Sequence, residues 1–366
     1  MNDVTVESIN KELRIKNILR EYQFGYIKNI GSGSYGDVVE VERNGIILAA
    51  KVINKNIKKI RNEIVEEFRG KNLVKIMYKL ETDSEYFIYV MERSYVGSLD
   101  SFRKNLNRNL LFQNPFVEDF GDNLVRFCAQ QIFSGIKTLN QGNLIHFDIK
   151  PDNILIFKGL ELKLIDFSFL RKIVEKDGYI AGGSWNFFSP ESFQENNQFL
   201  NETLKKQDYY AIGLTLFILK YNKFPINGQK KGKSNDENYD ITIDHLERAL
   251  NFIQSQIYQD KEFTKFLSNL IQPKPEKRLN FEQIMRNKWL NKNTEEIKKI
   301  IDINNADEDD LLIELQKSDF LMNNRKYYRN EFDKRYNDKT IKEYKSVRKG
   351  KFKFGKRNKI NKKIKF

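Results

Sequence analysis

"LIHFDIKPDNIL", residues 144–155, holds one of only two histidines in the chain and sets Phe147 between His146 and Asp148. A turn-forming aspartate in a loop explains Asp148 alone. It leaves Lys150 and Asn153, two and five positions further on, without a reason. The context of the stretch decides what the set does.

On the N-terminal side the pattern is strand-like. "FGYIKNIGSGSYGDVVEV", "GIILAAKVI", "NLVKIMYKL" and "YFIYVMERS", between about 24 and 97, alternate apolar and polar residues and are punctuated by Gly and Asn. One helical stretch, "KKIRNEIVEEFR" at 58–69, interrupts them. From about 122 the apolar spacing becomes three and four, as in "DNLVRFCAQQIFSGIKTLN", and helices dominate to 290. A small β-rich lobe followed by a larger α-rich lobe, an α+β architecture, is the expectation. Residues 107–121 and 227–240 lack periodicity and read as surface loops. Beyond 290, "TEEIKKIIDI" reads as a helix capped by Thr294 with Ile297, Ile300 and Ile301 on one face. A weaker helix carrying Leu311, Leu312 and Leu315 follows Asp307. There is no internal repeat.

The chain of 366 residues, 40% hydrophobic, has room for one large domain or two ordinary ones and enough apolar material for a core. Its single cysteine, Cys128, excludes an internal disulfide, fits a reducing compartment and reads as a small buried hydrophobe. "MNDVTVESINKELRIKN" lacks the apolar run of a secretory signal, and "YYAIGLTLFILKY" at 209–221 is short for a bilayer span and reads as a buried helix. An intracellular protein, cytoplasmic or nuclear, is expected. Of the net charge of +14, residues 341–366 contribute +11, from ten lysines, two arginines and one glutamate. The basicity belongs to a tail. Such a block is usually solvated; an acidic partner, a membrane surface or nucleic acid are the ligands it suits, the last helped by Phe352 and Phe354 among the lysines.

"GSGSYGDV" at 31–38 is a G-x-G-x-x-G-x-V loop, in which glycine allows the backbone to approach phosphate oxygens closely. The dinucleotide-binding version of this motif needs a helix to open after the last glycine, whereas "DVVEVE" continues as a strand. Fifteen residues after Gly36, Lys51 ends the strand-like run "LAAKV". Alone it reads as an edge solubiliser; with the glycine loop it forms a phosphate clamp.

"LAAKV", "HFDIKPDN", "IDF" and "SPE", in this order and spacing, resemble the eukaryotic protein kinase family over residues 22–291. The resemblance implies a bilobal fold, ATP and Mg2+ as cofactors, and a protein substrate. Residues 1–21 then form an N-terminal extension, 292–340 a partly helical extension and 341–366 the basic tail. By the same resemblance, Asp148 orients the attacking hydroxyl, Lys150 steadies the transferred phosphoryl group as in serine/threonine kinases, and Asn153 and Asp166 hold the metal. Ile30, Gly31, Ser32, Gly33, Ser34, Tyr35, Gly36, Asp37, Val38, Ala49 and Lys51 line the ATP site. Met91 stands as gatekeeper, with Glu92 and Ser94 offering backbone groups to adenine. Glu63 in "NEIV" is the helix partner of Lys51, with Glu66 and Glu67 as alternatives in another register. Structural positions are His146 beneath the catalytic segment, Ser184, Glu191 paired with Arg278, and Asp208 at the start of a buried helix, holding the catalytic loop.

The chain departs from the family at two places. Ser168 replaces the glycine of D-F-G, which reduces backbone freedom and is expected to restrict flipping of that segment. Phe147 replaces an arginine that reads a phosphate on the activation segment. Between Asp166 and Glu191 only Tyr179 stands where a regulatory phosphate is expected. The expected function is a serine/threonine protein kinase independent of activation-segment phosphorylation; the alternative is a pseudokinase acting as a nucleotide-binding or scaffolding module.

Overall fold

The apolar alternation of the first hundred residues folds into one antiparallel sheet. Its strands are β1 (Gly25–Gly33), β2 (Gly36–Arg43), β3 (Ile46–Asn54), β4 (Ile76–Glu81) and β5 (Tyr86–Glu92), in the order β1-β2-β3-β5-β4. The computed structural model describes residues 6–33, 36–55, 70–81, 86–104, 121–173, 182–194, 201–224, 232, 234–256 and 260–295, all within Met1–Lys317. Asn44 and Gly45 form the two-residue turn between β2 and β3, both with positive φ (54° and 78°), the combination that matches strand twist. Register sorts the two faces. Val38 lies opposite Lys51 and Met91 opposite Ala49, so these four share one face; Val39, Val41, Leu48, Ala50, Val52, Ile88 and Val90 point to the other.

That second face is covered by α1 (Val6–Glu21), formed by the segment read as an extension. Ile15, Ile18 and Leu19, spaced for one helical face, are buried in the same cluster as Phe24, Val39, Val41 and Ile88. Lys11 of α1 also pairs with Asp37 of β2 at 2.6 Å. The helix expected at 58–69 lies outside the described residues.

The second lobe is helical: α2 (Asp122–Gln141), α3 (Asn201–Tyr221), α4 (Asn235–Ser255), α5 (Lys261–Leu270) and α6 (Phe281–Met285). From Gln207 to Tyr221 every residue of α3 is buried. Cys128 sits in this lobe's core, and Trp289 packs against Phe263 and Phe266 with ring centroids 4.9 and 5.2 Å away. No helix among the described residues is long and apolar enough to cross a membrane. The loop expected over 227–240 ends early, because Ser234 accepts a hydrogen bond from Glu237 N and caps α4, with Asp236 and Glu237 in the first turn favoured by the helix dipole. Thr294 is buried and donates to Gln130 Oε1 at 2.9 Å, while Asn293 accepts from Glu295 N. The helices expected beyond it, the loop at 107–120 and the basic tail lie outside the described residues.

Between sheet and helices runs a set of short strands. β6 (Gly97–Ser98), β8 (Ile154–Phe157) and β9 (Glu161–Leu164) pair in the order β6-β8-β9, and β7 (Leu144–Ile145) pairs with β10 (Arg171–Lys172). The segment entering β4 joins them: Val74 N donates to the Leu164 carbonyl and Leu164 N to the Asn72 carbonyl, both at 2.9 Å. The quoted stretch 144–155 therefore begins on β7 and ends on β8, with its polar residues held in the loop between.

Candidate active site

The loop between β7 and β8 is fixed from three sides. Asp208 lies two turns inside α3 rather than at its start, and its carboxylate accepts from His146 N at 2.8 Å and Phe147 N at 2.9 Å. His146 is fully buried; Nε2–H donates to the Ile165 carbonyl at 2.9 Å and Nδ1 accepts from Asp148 N at 3.3 Å. Both ring nitrogens are spent on backbone. Burial raises the Asp208 pKa, opposed by His146 and by the two amide donors.

Asp148, 2% exposed, has both carboxylate oxygens engaged. Oδ1 accepts from Ser184 N at 2.7 Å; Oδ2 accepts from Lys150 Nζ at 3.1 Å and Asn153 Nδ2 at 2.7 Å. Lys150 also donates to Ser184 Oγ at 2.6 Å. A carboxylate with so many fixed donors does not reorganise when a hydroxyl reaches it, and the lysine beside it supplies positive charge where an anion would be transferred.

A second cluster faces the first from β3 and the turn after β9. Lys51 Nζ donates to Asp166 Oδ1 and, at 3.2 Å, to Ser168 Oγ. Asp166 adopts a left-handed backbone (φ 61°, ψ 69°), which turns its side chain toward Lys51. Burial opposes its ionisation, but the Lys51 charge and the bonds from Lys51 and Ser168 outweigh burial and hold the carboxyl below its usual range. Among the described residues, Asp166 Oδ1 takes every hydrogen bond, leaving Oδ2 for a cation; Asn153 spends its Nδ2 on Asp148, leaving its carbonyl oxygen. These two hard oxygens suit Mg2+, which takes few protein ligands and shares the rest with phosphates and water. No group of three or more His, Cys, Asp or Glu among the described residues would hold a metal unaided.

The glycine hairpin lies beside Lys51. Gly31 pairs with Val38, Ser32 with Asp37 and Gly33 with Gly36, whose φ of 146° and approach to the Val52 carbonyl exclude any side chain. Ile30 precedes the hairpin on β1, half-buried; Ser34 and Tyr35 at its tip lie outside the described residues, as do Glu63, Glu66 and Glu67. At the opposite edge of the cleft, Met91 is half-buried beside Ala49. The Glu92 side chain accepts from Lys75 N and Lys163 Nζ, both at 2.7 Å, and Ser94 Oγ donates to the Ile156 carbonyl at 2.5 Å. Both tie the connection between lobes to β8 and β9, leaving backbone groups as what they offer a ligand.

Further off, Arg278 and Glu191 form a bidentate pair at 2.5 and 2.6 Å, both essentially buried. Gln207 extends it, donating to Glu191 Oε1 at 2.6 Å and accepting from Ser189 and Ser192. Gln207 and Ser168 went unread as site partners in the sequence. Gln207 sits next to Asp208 at buried helical spacing, and Ser168 shows only as a missing glycine. Ser168 occupies a 3₁₀ turn, Phe167–Phe169, and is not among the residues with positive φ, so serine is unstrained in this conformation.

The family model for the protein kinase domain matches residues 24–290. Myosin light chain kinase 2 of Rattus norvegicus is 26% identical over 307 residues, 79% of this chain and 45% of that protein. A cAMP-dependent protein kinase, catalytic subunit-like, of Caenorhabditis elegans is 25% identical over 235 residues, 61% of this chain and 53% of that protein. Serine/threonine-protein kinase ppk34 of Schizosaccharomyces pombe is 29% identical over 175 residues, 45% of this chain and 44% of that protein. The chain thus spans about half the length of these relatives. With the domain match covering most of its length, this chain belongs to the eukaryotic protein kinase family.

Proposed function

We propose that the chain is an ATP- and Mg2+-dependent protein serine/threonine kinase. The observation that carries this is the joint hold on Asp148: Lys150, Asn153 and the Ser184 amide converge on its carboxylate, while Lys150 also reaches the Ser184 hydroxyl. In this reading Lys51 and the glycine hairpin bind the phosphates, Asp166 and Asn153 hold the metal, Asp148 takes the hydroxyl proton and Lys150 stabilises the migrating phosphoryl group. Bound Mg2+ supplies charge neutralisation at the phosphates. Turnover of about 1–100 per second is expected of such a site. Lys51→Met should abolish phosphate transfer to a Ser/Thr peptide library; equal incorporation by both proteins would leave only a nucleotide-binding module.

We further propose that the activation segment needs no phosphate. Phe147 is packed with Ile145, Phe169, Leu204 and Ile173, so the position that would carry a phosphate-reading arginine is part of an apolar cluster. Both ends of the segment meet there. β10 pairs with β7 and Ile173 N donates to the Asn143 carbonyl, while Gly182 and Gly183 pass so close to the Phe169 ring and the Phe147 carbonyl that a Cβ on either would collide. Phosphatase treatment should leave the rate unchanged; a large fall traceable to the segment, which includes Tyr179 outside the described residues, would refute this. For the tail at 341–366 we propose an acidic ligand, to be tested by comparing salt-sensitive binding to nucleic acid and to anionic vesicles before and after its deletion.

A further inference from the structure

The hydroxyl of Ser168 stands between the two charged groups on which nucleotide binding depends. It is 5% exposed, donates to Asp166 Oδ1 at 2.5 Å and accepts from Lys51 Nζ at 3.2 Å. A hydroxyl has one donor and two acceptor positions, and here the donor goes to the anion and an acceptor to the cation. The main-chain amide of the same residue adds a longer bond to the same oxygen, at 3.3 Å. Glycine at this position could supply only that amide.

We propose that Ser168 is a positioning residue for metal–nucleotide binding, setting the carboxylate plane of Asp166 and the seat of Lys51 together. The inference rests on the kinase reading above and deepens it. Two donors from Ser168 on Oδ1, one short and one long, oppose rotation of the carboxylate and present Oδ2 to the cation. The acceptor function matters once Mg2+ shares the charge of Asp166. The pull of that carboxylate on Lys51 then weakens, whereas the neutral hydroxyl loses nothing to the cation and keeps the ammonium in place. Because the hydroxyl is buried, water does not compete for either bond. A purely structural serine would affect stability and leave metal dependence alone, which separates the two roles.

The test uses the full chain and a non-hydrolysable ATP analogue, with binding followed calorimetrically across a Mg2+ titration. Ser168→Ala and Ser168→Gly remove the hydroxyl; Ser168→Thr keeps it. The loss of a hydrogen bond to a charged group predicts that both truncations raise the half-saturating Mg2+ concentration about ten- to a hundredfold. Ser168→Thr is predicted to match wild type, and all three variants to melt within a few degrees of it. Unchanged Mg2+ dependence in Ala and Gly, or a Thr variant no better than Ala, overturns the inference while leaving the kinase reading intact. A wild-type protein that binds no nucleotide at any Mg2+ concentration removes both.

Discussion

Phe147 has a φ of 63°, a left-handed conformation that costs a bulky residue roughly 1–2 kcal/mol. Asp208 offsets the cost by accepting from the Phe147 and His146 amides, and the apolar cluster around the ring does the rest. An asparagine at 208 would face two N–H donors with only one oxygen. Asp208→Asn is therefore expected to destabilise the protein by about 1–3 kcal/mol and slow phosphate transfer together, as read by thermal unfolding and initial rates. A rate loss without a stability loss would place Asp208 elsewhere in the account. At this scale Lys51, Asp148, Asn153 and Asp166 were legible in advance because they stand in the motifs that carry the family resemblance, and the structure brings Lys51 to Asp166 and Asn153 to Asp148. Ser168 was legible only as an absent glycine, since sequence shows that a hydroxyl is present and nothing of where it points.

Among the elements, α1 was the least legible. Its buried face comprises Ile15, Ile18 and Leu19 among many charged neighbours, and the motifs that mark this family begin only after it. The sheet it covers was plain, because each strand alternates and the Asn44-Gly45 turn joins two of them. The start of α4 was missed for a different reason: its first turn is polar throughout, and only the Ser234 cap distinguishes it from a loop. Leu19 is fully buried against the sheet. Leu19→Ala is expected to cost about 2–5 kcal/mol and lower the melting temperature, a direct check that α1 is integral to the small lobe. A melting temperature equal to wild type would mean that α1 is peripheral.

For the whole molecule, one buried ion pair supplies stability away from the proposed catalytic groups. The Arg278–Glu191 pair, essentially buried and extended by Gln207, ties the segment after Ser184 to the helical lobe. Removing one partner strands a buried charge, so Arg278→Ala is predicted to destabilise by about 3–5 kcal/mol in a denaturant titration. The loop between β7 and β8 sits at the junction of sheet and helices, and both lobes contribute to the proposed phosphate-handling groups: Lys51 and the glycine hairpin from the sheet, Asp148, Lys150, Asn153 and Asp166 from the other side. The central claim is that Asp148 accepts the proton in a working phosphotransferase. The direct measurement is transfer of labelled γ-phosphate to a Ser/Thr peptide library by wild type and by Asp148→Asn, with ATP binding measured on both. The account predicts incorporation by wild type, a loss of at least a hundredfold in the variant, and ATP affinity retained by both. Equal incorporation by the two proteins, or none by a wild type that binds ATP, would contradict it.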